Sequence, residues 1–122
     1  VVIVKTGVVI GRGFNGPPNG MQCNPEYCEP VCAQYCVHAE QNALLSALRM
    51  GYDPQGARMY HIKAIDGKAQ DSLGPSCVEC SKLILQTGVR EFVLKQEQGL
   101  VFYETGEFHE LSLECLMKTR LA

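Results

Sequence analysis

The sequence predicts a compact α/β domain, a sheet with helices laid against it. Three observations carry that expectation. β-Branched apolar runs open the chain and recur after residue 90, two stretches with helical apolar spacing lie between them, and turn residues mark the junctions. At 122 residues the chain has the length of one domain, 1–122, and can bury a hydrophobic core. Its 46% apolar and 20% charged residues are globular proportions, which sets disorder aside.

The elements follow in order. Val1-Val2-Ile3-Val4 and Val8-Val9-Ile10 flank Lys5-Thr6-Gly7 and read as two strands joined by a tight turn. Gly11 to Gly20 then carries Asn15-Gly16-Pro17-Pro18-Asn19-Gly20, a dense loop signal. Residues 21–37 hold four cysteines and two prolines without clear periodicity. From His38 the pattern turns helical, with Ala39, Ala43, Leu44, Ala47 and Leu48 on one face and Gly51 as its stop. Ala57 to Ile65 reads as a strand, followed by a polar stretch from Asp66 to Gly74. Ser76 is placed to cap a second helix that carries Leu83, Ile84 and Leu85 and ends before Gly88. Arg90 to Lys95 is the next strand, Leu100 to Tyr103 another, and Ser112 is expected to cap a short helix through Arg120.

Composition narrows the function classes. Net charge is −2, from 11 basic and 13 acidic residues, and no basic run supplies the footprint of a protein that grips nucleic acid. A small-molecule substrate is expected, and a nucleic-acid partner is not. No apolar run approaches the roughly 18–20 residues needed to cross a bilayer, and no signal peptide is visible. A cytoplasmic protein without a membrane partner is therefore expected. The chain opens on Val1 without an initiator Met, so an N-terminal segment is expected to be missing. Without a secretory signal, seven cysteines read as metal ligands and buried thiols rather than disulfides.

Two local patterns carry chemistry. Val37-His38-Ala39-Glu40 and Pro75-Ser76-Cys77-Val78-Glu79-Cys80 each stand at a helix start. Cys77 and Cys80, three residues apart in a first turn, reach the same point. With His38 they make three ligands, and a zinc ion with three protein ligands keeps a position open for water, the mark of a catalytic rather than a structural site. Helix N-termini favour the thiolate form of both cysteines. Glu40, two residues past His38, lies beside such a metal without having to ligate it, placed to take a proton from water and return it to a leaving group. The competing readings are two buried cysteines with a surface histidine, or a structural zinc with Cys36 as fourth ligand.

The segments "CVHAEQNALL" and "PSCVECSKLI" together resemble the cytidine/deoxycytidylate deaminase superfamily, whose signature is H-x-E with P-C-x-x-C. The opening "VVIVKTGVVIGRGFNGPPNG" is similar to the first strands and Asn-Gly loop of the deoxycytidylate deaminase branch. The resemblance covers most of the chain. It implies a three-layer α/β/α fold with a central mixed sheet, a Zn2+ cofactor, hydrolytic deamination of a pyrimidine nucleotide or nucleoside, and a homo-oligomer. It also implies that Asn15 and Ala39 contact the substrate, Asn15 at the sugar. The chain departs from the family pattern in three ways. Ser76 separates Pro75 from Cys77, the Glu40–Cys77 connection is long, and no helix precedes the first strand.

Other residues carry two readings each. Cys23, Cys28, Cys32 and Cys36 form a second metal site or, with Cys28, Cys32 and Cys36 on one helical face, a set of buried thiols. Arg12 is a phosphate contact or a solvated strand-end charge. His61 reads as an ordinary strand-face residue, His109 as uninformative, and Cys115 as core. Competing functions are a deaminase of a base in nucleic acid, a deaminase of another aminated heterocycle, and a non-catalytic zinc module. The last is disfavoured because Glu40 is present.

Overall fold

The computed structural model describes residues 1–24, 26, 35–72 and 74–121. Strands β1 (Val2–Lys5) and β2 (Val8–Arg12) form the first hairpin. Thr6 and Gly7 turn the chain at φ +49° and +78°, the left-handed pair that matches the twist of the flanking strands. Ile3 pairs with Gly11 while Val4 pairs with Val9, so Ile10 is the extra residue of a bulge. The bulge lets Ile10 and Gly11 both turn inward.

Helix α1 (Ala39–Arg49) lies directly on β2 through Ala39, Ala43, Leu44 and Ala47. A Cβ added at Gly11 would stand 2.5 Å from the Ala43 carbonyl oxygen, so the close approach requires glycine there. The helix stops as expected at Gly51, whose φ is +85°, with the Tyr52 N–H donating to the Ala47 carbonyl at 2.9 Å.

The expected strand from Ala57 to Ile65 is two elements. Strand β3 (Arg58–His61) enters the main sheet, whereas β4 (Lys63–Ile65) leaves it to pair with β5 (Lys68–Gln70). Asp66 and Gly67 adopt φ +52° and +75°, the Asp-Gly hairpin turn concealed in what reads as a polar stretch. Helix α2 (Val78–Gln86) is followed by β6 (Glu91–Gln96), β7 (Gly99–Glu104) and α3 (Thr105–Leu121). The final helix therefore starts well before Ser112. Ser112 is buried inside it, its hydroxyl donating to the Phe108 carbonyl at 3.0 Å, because Phe108 draws the preceding turn onto the sheet.

The main sheet has the order β2-β1-β3-β6-β7, with β3 and β6 parallel and every other pair antiparallel. This is the α/β fold with a mixed central sheet that the sequence predicts. Ile3, Met59, Phe92 and Leu94 of the sheet meet Ala43, Ala47, Ile84 and Phe108 of the helices in one core. The Phe92 and Phe108 rings stack at 4.0 Å and 14°. The described helices supply one helical layer. By strand alternation Val2, Val4, Tyr60 and Phe102 occupy the other face of the sheet. There the Arg58 guanidinium sits 5.2 Å over the Phe102 ring and pairs with Glu91 at 2.9 Å. Among the described residues no helix is long and apolar enough to cross a membrane.

Candidate functional site

Two helix starts converge. His38 is the N-cap of α1, extended at φ −73° and ψ 154°, and is led there by a two-way backbone bridge between Gly16 and Val37. Its own N–H donates to Gln41 Oε1 at 3.0 Å, closing the first turn. Cys77 is the N-cap of α2, also extended, so the cap stands one residue later than Ser76. The Cys77 carbonyl accepts from the N–H groups of Cys80 at 3.1 Å and Ser81 at 2.9 Å. That turn folds the two sulfurs onto one point.

His38 Nδ1 lies 3.1 Å from Cys80 Sγ and 3.3 Å from Cys77 Sγ. All three donor atoms fall within 4.8 Å of one another. A tetrahedral zinc with its usual bond lengths holds neighbouring N and S donors ~3.5–3.8 Å apart. The donor set fits that ion without rearrangement beyond a few tenths of an ångström. Protonation states agree with the geometry. The hydrogen bond from Cys80 is the main cause that brings the Cys77 thiol down to about 6, with His38 adding to it. The same bond, followed by burial and the Glu40 carboxylate alongside, pushes the Cys80 thiol up. Metal ligation takes cysteine as thiolate, so the Cys80 proton is the one a metal would displace.

This trio is the one group of three or more metal-capable side chains among the described residues, and Cys36 is not part of it. Three donors without a fourth protein ligand match an open rather than a closed site. Of the cysteines considered for a second metal, Cys23 is exposed and Cys36 half-buried, while Cys28 and Cys32 lie outside the described residues.

Glu40, at the second position of α1, is 7% exposed, and its charge acts on the Cys80 thiol. Asn15 reaches the same helix start from the loop, its Oδ1 accepting from the Ala39 N–H at 2.7 Å. Ala39 is buried, and Asn15 is exposed at the mouth of the site. Asn42 Nδ2 donates to the Phe14 carbonyl at 2.8 Å and fixes the loop from a second point. Arg12 is exposed, and its backbone N–H donates to Ser46 Oγ at 3.0 Å.

Two histidines that the sequence leaves without a role have partners. His109 Nδ1 is 2.8 Å from the buried Ser81 hydroxyl, linking α3 to the first turn of α2. His61 ends β3 with Nδ1 3.3 Å from Ser72 Oγ, and the Glu40 charge acts on its ring. The available sequence signal for His61 was its two-residue offset from core residue Met59, which puts it on the face that carries the site.

A family model for the cytidine and deoxycytidylate deaminase zinc-binding region matches residues 1–96. ComE operon protein 2 of Bacillus subtilis is 30% identical over 92 residues, covering 72% of this chain and 42% of that protein. The deoxycytidylate deaminase of Saccharomyces cerevisiae is 33% identical over 104 residues, covering 78% of this chain and 30% of the relative. The human deoxycytidylate deaminase is 27% identical over 106 residues, covering 80% and 51%. The chain thus spans about half or less of the length of these relatives. Among solved structures, the dCMP deaminase of cyanophage S-TIM5 in apo form superposes with a TM-score of 0.52 at 27% identity, covering 75% of this chain and 60% of that one. The same phage enzyme in complex with dCMP and dUMP gives 0.50 at 25% identity with the same coverage.

Proposed function

This chain belongs to the cytidine and deoxycytidylate deaminase zinc-binding family, and we propose that it hydrolyses the exocyclic amino group of a cytosine nucleotide of the deoxycytidylate type, releasing ammonia. The observation that carries the reading is a buried carboxylate, Glu40, set against Cys80 of a three-donor His38/Cys77/Cys80 group. The deoxycytidylate preference is supported by the relatives of that name and by the dCMP- and dUMP-bound phage enzyme.

Zinc held by His38, Cys77 and Cys80 would supply Lewis acidity and an open position, making water a nucleophile at neutral pH. Glu40 takes the proton from the attacking water as its oxygen joins the ring carbon that bears the amino group. It delivers that proton to the adjacent ring nitrogen. It then carries a proton to the departing amine, so that water and the aminated ring become the ring carbonyl and ammonia. Burial suits Glu40 to this shuttle, because a carboxylate screened from bulk water exchanges its proton with the substrate. Asn15 stands at the mouth with Oδ1 engaged by Ala39, which leaves its Nδ2 to donate to a sugar hydroxyl.

The test is zinc per chain together with ammonia release from cytosine, cytidine, deoxycytidine, their monophosphates, adenosine and guanine. About one zinc per chain, preference for deoxycytidine monophosphate, and loss of turnover by roughly a thousandfold or more in Glu40→Gln are expected. A zinc-loaded protein that releases no ammonia from any of these compounds overturns the reading.

A further inference from the structure

Ligands of sheets with parallel strands gather beyond the carboxyl ends of those strands. His61 is the last residue of β3, which runs parallel to β6. By alternation it shares the side of Met59, the face covered by α1 and α2. Its ring lies 6.2 Å from the Phe92 ring at 31°. Its Nδ1 is 3.3 Å from the hydroxyl of Ser72, which is itself buried and held by its N–H to the Lys95 carbonyl at 2.8 Å. The neighbouring Asp71 pairs with Lys95.

The β4–β5 excursion is therefore tied at its neck, and the His61 ring is fixed on two sides. Nε2 makes no hydrogen bond among the described residues. Nε2 is not one of the buried atoms left without a partner, so it is open to solvent and available to a ligand. The ring stands at the carboxyl end of β3 and feels the Glu40 charge, so a ligand at Nε2 would lie on the side of that carboxylate.

We propose that His61 is a substrate-positioning residue: held by Ser72 at Nδ1, it offers Nε2 to a polar substituent of the nucleotide bound beside Glu40. The proposal rests on the deaminase reading above. Burial lowers the ring's affinity for a proton, and the Glu40 charge partly opposes this. The neutral ring that results makes one directional hydrogen bond at Nε2.

Two variants of the zinc-loaded full chain separate positioning from packing. His61→Phe keeps a ring against Phe92 but removes both nitrogens, and His61→Gln keeps a polar group without the ring. His61→Phe is expected to lower kcat/KM for the preferred nucleotide by about tenfold to a hundredfold, with zinc stoichiometry and Tm at wild-type values. His61→Gln is expected to stay within about tenfold of wild type. Full activity in the Phe variant with loss in the Gln variant shows packing and overturns the proposal. Should the Phe variant not fold, Ser72→Ala is decisive, since it releases Nδ1 and leaves the ring. A fall of several-fold supports positioning, and unchanged kinetics overturn it.

A second readout does not depend on turnover. In ¹⁵N NMR of the zinc-loaded wild type, saturating dUMP is expected to move the His61 Nε2 signal, and a signal that stays in place overturns the proposal. Wild type inactive on every compound defeats the deaminase reading itself. An active wild type with an unaffected Phe variant defeats the His61 assignment alone.

Discussion

Replacing Gly13 by alanine is expected to damage the site from a position that touches no ligand. A Cβ at Gly13 would stand 2.3 Å from the Ala39 carbonyl oxygen, 2.4 Å from the Ala43 nitrogen and 2.8 Å from Asn42 Cβ. Two of these are backbone atoms of α1, so no side chain can rotate away. The closest contact is ~1 Å short of ordinary van der Waals separation, and relief requires the start of α1 to lift from β2 by a similar amount. Overpacking of this kind costs about 1–3 kcal/mol, which for a domain of this size lowers Tm by roughly 5–15 °C. His38 precedes Ala39 directly, so the same movement carries Nδ1 away from sulfurs now 3.1 and 3.3 Å distant. Zinc affinity should fall about 10–100-fold, and kcat/KM about a hundredfold, as expected for an ångström of misplacement. Chelator competition and thermal denaturation on the purified variant read both effects. Gly106→Ala serves as the control. Its Cβ meets nothing within 4 Å, and in the first turn of α3 alanine should stabilise by about 0.5–1 kcal/mol. A Gly13→Ala protein with wild-type Tm and wild-type zinc affinity would refute the reasoning.

Other perturbations separate core, metal and charge. Phe108→Ala removes a fully buried ring stacked on Phe92 and should cost about 3–5 kcal/mol in urea unfolding; a loss below 1 kcal/mol would mean that α3 is not anchored there. Cys80→Ser should strip zinc under a chelator concentration that wild type withstands, because the buried Cys80 is one of the three donors grouped among the described residues; retention of a full equivalent would place the metal elsewhere. Burial holds the His61 pKa below its ordinary 6.5. The unfolded chain therefore takes up more protons, and this contribution to stability is present above that pH and is lost as pH falls through the depressed native value. His61→Gln should accordingly lose less Tm than wild type between pH 7 and pH 5; equal losses would show that the ring does not contribute.

The metal group was legible because its grammar is local. Cys77 and Cys80 are one turn apart, His38 opens a periodic apolar stretch, and convergence needs only that two helix starts face each other. What the sequence concealed depends on neighbours distant in the chain. The cap of α2 falls on Cys77 rather than Ser76 because Cys77 itself is extended and supplies the first helical carbonyl. Lys63-Ala64-Ile65 and Lys68-Ala69-Gln70 are exposed throughout and carry no buried alternation, so only Asp66-Gly67 marked the hairpin. The first turns of α3 look like a turn at Thr105-Gly106. They are helical because the Thr105 hydroxyl bonds the Val89 carbonyl at 2.7 Å and Phe108 stacks on Phe92. His61 shows the same limit, since strand alternation fixes its face but not the Ser72 hydroxyl that meets it or the Glu40 charge that acts on it.

The placement of the hairpin has a consequence for how such a site can change. The three donors and Glu40 belong to the first turns of α1 and α2, which are held by the core and by the glycine contacts at β2. The β4–β5 excursion leaves at His61 and returns through Ser72, between the sheet and the second pair of ligands, yet contributes no residue to the metal group. Lengthening a surface connection costs little closure entropy. The ties at Ser72 and Asp71 to β6 shield the path to Cys77 from whatever the hairpin tip does. Substitutions within residues 63–70 should therefore leave zinc affinity unchanged, whereas changes at Gly13 or Ser72 should reach the metal or His61 directly.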